Sequence, residues 1–139
     1  MLLPWHGRYY LGVAHGILGV IHALLSWLRA LRTSYRAPPA WANVMREVLV
    51  HTLDWSLAQA DAIGSLPSHV DGALNGEPSK LVHFCHGLPG ATLVYCLAAK
   101  ELNVDRFRAA TVRFGEVTHE WDLLRKSPGL AMASAGTAL

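Results

Sequence analysis

One short segment, Lys80 to Gly90, brings a thiol and two imidazoles together just before a stretch that is typical of a helix start. Its sequence is KLVHFCHGLPG, so Cys85 lies between His83 and His86. Thiolates and imidazoles are ligands that zinc prefers, and a zinc site needs three or four protein ligands. A helix N-terminus lowers the pKa of a nearby thiol, and bound zinc lowers it further. The segment predicts Cys85 as a metal ligand; the alternative is a small apolar core residue.

A short motif, His-Gly-x-x-Gly, occurs twice in the chain. The first copy begins at His15 and the second at His86. Where a third copy is expected, the chain reads Met132-Ala133-Ser134-Ala135-Gly136 and keeps only the final glycine. Recurrence at a fixed point of successive helical segments indicates an internal structural repeat.

Hydrophobic patterning predicts the elements that must hold these residues. They are a helix apolar on nearly all sides over 17–31, a mixed helix over 41–62, a loop over 63–79, a short extended segment over 80–84, an apolar helix over 86–102, a more polar helix over 104–126 and the start of another apolar helix over 127–139. In the second helix, residues recur at spacings of three and four: Val44, Val48, His51, Trp55 and Ala58. Alternation of apolar and mixed helices predicts paired inner and outer helices.

Composition narrows the class of protein. Of the 139 residues, 52% are hydrophobic and only 16% are charged, against about 25% charged in typical domains. This excludes intrinsic disorder. Small domains bury a lower share of their surface and usually carry more charge than this. The composition therefore also predicts an apolar face that packs against further protein, either the rest of a larger fold or a partner. A net charge of +2 gives no electrostatic case for nucleic acid.

Cysteine usage and the first residues bear on the compartment. Two cysteines do not support a disulfide scaffold and fit a reducing compartment. The start, MLLPWHG, has no basic region before an apolar stretch, so we expect no secretory signal. We therefore expect a cytoplasmic protein, with association at a membrane left open.

Three segments carry a resemblance to a known family. KLVHFCHGLPG resembles the Trp-Cys-His-Gly-x-Pro-Gly signature of the eukaryotic branch of the lanthionine synthetase C-like family. YLGVAHGILGVIHALL resembles its earlier Ala-His-Gly motif, and WDLLRKSPGLAMASAGTAL resembles the stretch that leads into its third motif, Gly-Leu-Cys-His-Gly-x-x-Gly. The resemblance implies an all-α fold, a partial (α/α) toroid of paired inner and outer helices. Residues 1–139 would form a single partial domain with about two and a half of about seven pairs.

The same resemblance implies a chemistry: zinc-assisted addition of a thiol, from a peptide cysteine or from glutathione, to dehydroamino acids. Glutathione or a dehydroamino-acid-containing peptide is then the expected partner, and zinc the expected cofactor. Cys85 falls on the first zinc-ligand position, and His15 falls on the residue that acts as acid or base. The two other ligand positions hold Ala131 and Met132, and Phe84 replaces the tryptophan of the motif. Loss of two ligands predicts impaired chemistry, with a makeshift zinc site of Cys85 and its flanking histidines as an alternative.

Competing interpretations remain at this level. The chain could be a non-catalytic helical interaction module that self-associates through its apolar face. A membrane protein is a third interpretation, because the 19 residues from Tyr10 to Leu28 contain no Asp, Glu, Lys or Arg and could span a bilayer. Against it, His15 and His22 would lie at membrane depth, where ionisable groups are rare. Zinc content separates the first two interpretations, and solubility without detergent separates the third.

The remaining candidates receive structural interpretations. His22 follows His15 by two helical turns, which predicts a core histidine or a pore-facing partner for His15. Cys96 lies in an apolar helix and is expected in the core. The other histidines have no partner that spacing identifies: His51, His69 and His119.

Overall fold

Helices account for most of the architecture that the sequence predicts. A computed structural model describes residues 4, 6–34, 39–77, 79 and 81–121. Its helices are α1 (Ile17–Ser34), α2 (Trp41–Ile63), α3 (Val70–Leu74), α4 (Leu88–Leu102) and α5 (Asp105–Glu120). The predicted loop over 63–79 contains the five-residue α3, and residues 81–83 have no regular structure. The predicted helix start over 127–139 lies outside the described residues.

The apolar helices α1 and α4 pack against each other and form the inner layer. Both helices bring fully buried apolar side chains to the core: Leu18, Ile21 and Leu25 from α1, and Ala91, Val94 and Ala98 from α4. Pro89 lies in the first turn of α4, where its missing N–H costs no hydrogen bond. Within the part of the chain that is described, no helix combines the length and hydropathy needed to cross a bilayer.

The mixed helices α2 and α5 lie beside one another outside this layer. Arg106 contacts Asp54 through two hydrogen bonds of 2.6 and 2.7 Å, and Arg113 pairs with Asp61. Asp61 follows Asp54 by seven residues in α2, and Arg113 follows Arg106 by seven residues in α5. Each interval is two helical turns, and both run in the same chain direction, so α2 and α5 are parallel. The chain is therefore all-α: the described residues form two inner–outer pairs, α1 with α2 and α4 with α5, of a partial (α/α) toroid.

Helix α2 buries a different face from the one with the recurring apolar spacing. Its core-facing residues are Ala42, Leu49, Leu53, Leu57 and Ala60. Val44 and Val48 are instead 61% and 57% exposed, and His51 and Trp55 are also exposed. The spacing predicted the helix correctly, but the stripe lies on the face that α2 turns away from the core.

This exposed stripe continues onto α1 through two stacked indoles. Trp27 of α1 and Trp41 of α2 have ring centroids 5.0 Å apart and an interplanar angle of 14°, and both are exposed. Val20 lies two turns before Trp27 on the same face of α1 and is exposed as well. We call this set the apolar surface: Val20, Trp27, Trp41, Val44, Val48 and Trp55.

A buried carboxylate joins the ends of the two inner helices. The Glu101 side chain, on the last turn of α4, is 4% exposed and lies 3.8 Å from Arg29 Nε and 3.5 Å from Arg32. From α2, Arg46 donates a hydrogen bond of 2.6 Å to the Glu101 carbonyl oxygen. Three helices therefore converge on this residue.

Candidate functional site

Each His-Gly-x-x-Gly motif, together with the residues just before it, forms a hook that folds back over the start of an inner helix; the first hook covers residues 10–19 and the second 81–90. His15 lies two residues before α1, and His86 lies two residues before α4. A Cβ atom on any motif glycine would overlap the carbonyl oxygen six residues earlier: Gly16 on Tyr10, Gly19 on Val13, Gly87 on Leu81 and Gly90 on Phe84. The two copies therefore use their glycines in the same way, which confirms the repeat as a structural unit.

The two hooks interlock through their backbones. The Ala14 N–H donates a hydrogen bond of 3.3 Å to the Cys85 carbonyl oxygen. A Cβ atom on Gly12 would overlap that same oxygen, so only glycine allows this approach. The interlock brings the His15 and His86 rings together, with centroids 5.6 Å apart and an interplanar angle of 39°.

Tyr10 and His69 complete the site. The Tyr10 ring lies 5.5 Å from that of His86, 6.3 Å from that of His15 and 6.4 Å from that of His69. We call these four residues the imidazole–tyrosine cluster. His69 was expected in the loop over 63–79, and spacing identified no partner for it, because no spacing connects it to a tyrosine in the first hook.

His86 has an environment that favours its neutral form. Burial lowers the pKa of its imidazole, and the nearby imidazoles of His15 and His83 lower it further. Its Nδ1 atom is buried, and no described residue gives it a hydrogen bond. A neutral imidazole with a free ring nitrogen suits proton transfer near neutral pH.

Cys85 lies next to His86, and the pKa of its thiol is shifted in the direction opposite to the expected one. Its thiol is half-buried, and burial raises its pKa by more than the backbone N–H groups of Cys85 and His86 lower it. Burial therefore outweighs the lowering of the pKa that was expected near the start of α4, which begins at Leu88 with Gly87 as its N-cap. A thiol with a raised pKa stays protonated at neutral pH.

The donor set around Cys85 does not fit a zinc site. Among residues 4–34, 39–77, 79 and 81–121, with their few gaps, no three His, Cys, Asp or Glu side chains come together to hold a metal ion. The makeshift site of Cys85 with His83 and His86 is therefore not seen. The other two positions of the family pattern, Ala131 and Met132, lie outside the described residues, and neither type is a usual zinc ligand.

The remaining candidates lie apart from the cluster. His22 is exposed on α1, so the interpretation as a core histidine is wrong. His51 and His119 are also exposed, and Cys96 is half-buried within α4. The family resemblance assigned His15 and Cys85 to one site, and the second motif added His86; neither the resemblance nor spacing identified Tyr10 or His69.

Comparison with known families agrees with this geometry. The family model described as lanthionine synthetase C-like protein matches residues 3–138. The match includes both hooks, the two described helix pairs and the residues that follow them. The chain therefore belongs to the lanthionine synthetase C-like family.

Proposed function

We propose that this chain retains the proton-transfer half of a thiol-addition site and lacks an efficient means of activating the thiol. The observation that carries the proposal is the contact between the rings of His15 and His86, whose centroids are 5.6 Å apart. The substrates are a thiol, from a peptide cysteine or glutathione, and a dehydroamino acid in a peptide.

The reaction needs one proton to leave and one to arrive. The thiol loses its proton, sulfur bonds to the β-carbon of the dehydroamino acid, and the π electrons of the double bond form an enolate. Protonation of the α-carbon then completes the addition. Neutral His86 is suited to accept the thiol proton, and His15 is suited to donate the second.

Impairment follows from the state of the thiol. An ordinary thiol has a pKa of about 8.5, so only a few per cent is thiolate at neutral pH. The family resemblance implies zinc at this point, and the donor set of the described residues around Cys85 does not fit zinc. We therefore propose addition that is slow and independent of metal.

The test combines metal content with a direct assay. Zinc per chain is measured on purified protein, and addition of glutathione to a dehydroalanine peptide is followed with and without a chelator. We expect almost no zinc and a slow addition that the chelator leaves unchanged and that His15→Gln returns to the buffer rate.

Two outcomes would contradict the proposal. About one zinc per chain that disappears in Cys85→Ala but not in the control Cys96→Ala, together with fast addition, would mean that new ligands rebuild the metal site. Addition at the buffer rate in the wild-type chain would instead favour the non-catalytic interaction module, which the exposed apolar surface also supports.

A further inference from the structure

We infer that Tyr10 is a positioning residue that holds the His15 and His86 rings in contact, and that His69 holds Tyr10 in place. The inference rests on the proposed function only in taking these two histidines as the acid–base pair. Neither Tyr10 nor His69 carries a role in the family resemblance described above.

The backbone around Tyr10 is fixed from two directions. Its carbonyl oxygen accepts a hydrogen bond of 3.1 Å from the N–H of Ile17, the first residue of α1. On the other side, residues 9–11 bond to the segment before α3: Val70 N–H donates to the Tyr9 carbonyl at 2.9 Å, and Leu11 N–H donates to the Ser68 carbonyl at 3.0 Å. The position of the Tyr10 ring is therefore set by α1 and α3 together.

His69 is held by a hydrogen bond of its own. Its Nδ1 accepts a hydrogen bond of 2.9 Å from the N–H of Gly72, which makes His69 the N-cap of α3. This capping bond fixes the imidazole, which lies at an interplanar angle of 65° to the Tyr10 ring.

The half-buried Tyr10 ring contacts both members of the acid–base pair and the fixed His69 ring. Catalytic groups must be held to within about 0.5 Å of their productive geometry by neighbours whose own conformations are locked. A displacement of about 1 Å can reduce a rate by about a hundredfold. Tyr10 meets this requirement through ring packing, so its hydroxyl group is dispensable for positioning.

The experiment measures geometry directly, by histidine-selective NMR of the whole chain. In the wild type we expect a nuclear Overhauser contact between the His15 and His86 rings and ring-current shifts of their protons. Tyr10→Phe should keep both signals, and Tyr10→Leu should lose both. Tyr9→Leu is the matched control, because Tyr9 is the exposed neighbour of Tyr10.

A second variant keeps the inference testable if Tyr10→Leu does not fold. In His69→Asn the side-chain oxygen can still cap Gly72 N–H, while the ring that supports Tyr10 is removed. We expect the Tyr10 ring signals to shift and the contact between His15 and His86 to weaken. An unchanged contact in either variant would overturn the inference.

The activity assay separates this inference from the proposed function. If Tyr10→Leu loses the contact between the His15 and His86 rings and its addition rate falls to that of His15→Gln, the result supports both the positioning role of Tyr10 and the proposed function. If the contact is lost while the addition rate stays at the wild-type value, Tyr10 positions the rings, but the acid–base role of His15 and His86 is wrong.

Discussion

At the scale of single residues, Tyr95 is a buried polar group whose hydroxyl bonds across to another helix. Its ring is fully buried between Phe107 and Phe114, and its hydroxyl donates a hydrogen bond of 2.8 Å to the Leu53 carbonyl. Tyr95→Phe keeps the ring and removes this hydrogen bond between α4 and α2. We expect the free energy of unfolding in urea at pH 7 to fall by about 1 kcal/mol.

The same residue predicts a loss of stability in alkali. Burial raises the pKa of Tyr95 far above its usual value of 10, so the folded state keeps the proton while the unfolded state releases it near pH 10. The contribution to stability is complete below pH 10 and decreases as the pH rises further. Urea titrations at rising pH should show a smaller decrease in Tyr95→Phe than in the wild type. Equal decreases would contradict this assignment, and Tyr9→Phe, at an exposed site, should behave as the wild type.

A pair of glycine substitutions tests the interlock of the two hooks. In Gly12→Ala the new methyl group meets the Cys85 carbonyl oxygen, so we expect lower stability and loss of the nuclear Overhauser contact between His15 and His86. Gly115→Ala is the matched control, because nothing lies within 4 Å of a Cβ at that helical position. That substitution should stabilise the chain by up to about 1 kcal/mol. Stability retained in Gly12→Ala would show that the hooks can separate.

The residues of the site were predictable to different degrees. The repeated motif predicted that His15 and His86 occupy equivalent positions, because local glycine chemistry determines both hooks. Tyr10 and His69 were not predictable, because their contact joins distant segments through backbone pairing that leaves no periodic signal. The direction of the Cys85 pKa was predicted wrongly, because burial depends on how the hooks interlock and not on the nearby helix start.

At the scale of elements, the junction at Glu101 predicts an asymmetry between its partners. Glu101→Gln removes the buried charge together with its ion pairs, and we expect a cost of about 1–3 kcal/mol. Arg29→Ala combined with Arg32→Ala leaves the buried carboxylate without either cation, and such a charge is more costly than a lost pair. Thermal or urea unfolding should therefore rank the double variant as the less stable.

An exposed ion pair provides the control for this ranking. Arg108 pairs with Asp105 on the surface of α5, where the Asp105 side chain is 92% exposed. Arg108→Ala should change stability by no more than about 1 kcal/mol. If the double arginine variant lowers the free energy of unfolding by no more than Arg108→Ala does, the ion pairs of Glu101 do not stabilise the packing of the inner helices.

Prediction of the helices succeeded where one pattern dominated. Helix α1 was predicted because its sequence is apolar on nearly all sides, and α4 because Pro89 marks its start. Helix α3 was missed because five residues among glycines give no helical period. The spacing in α2 predicted a helix without showing which face is buried, because both faces carry apolar side chains.

At the scale of the whole molecule, the apolar surface predicts association with a second copy of the chain. Its valines and tryptophans are exposed on α1 and α2, whose indoles stack at Trp27 and Trp41, and large exposed apolar patches are typical of contact sites. Sedimentation velocity should show a mass that rises with protein concentration. The variant Val44→Lys with Val48→Lys should reduce that rise.

A matched substitution locates the contact. Val112 of α5 is 58% exposed but lies on a different helix from the two valines. Val112→Lys should leave association unchanged. A single species at all concentrations in the wild-type chain would refute self-association, and an equal effect of Val112→Lys would refute its location.

The stacked indoles of Trp27 and Trp41 give the molecule a built-in optical reporter. Two indoles at this separation couple their electronic transitions, and the coupling appears as a paired positive and negative band in circular dichroism. The signal exists only while α1 and α2 meet, since the two tryptophans belong to different helices. Stopped-flow dichroism could therefore time the docking of α1 and α2 separately from helix formation, without any attached label.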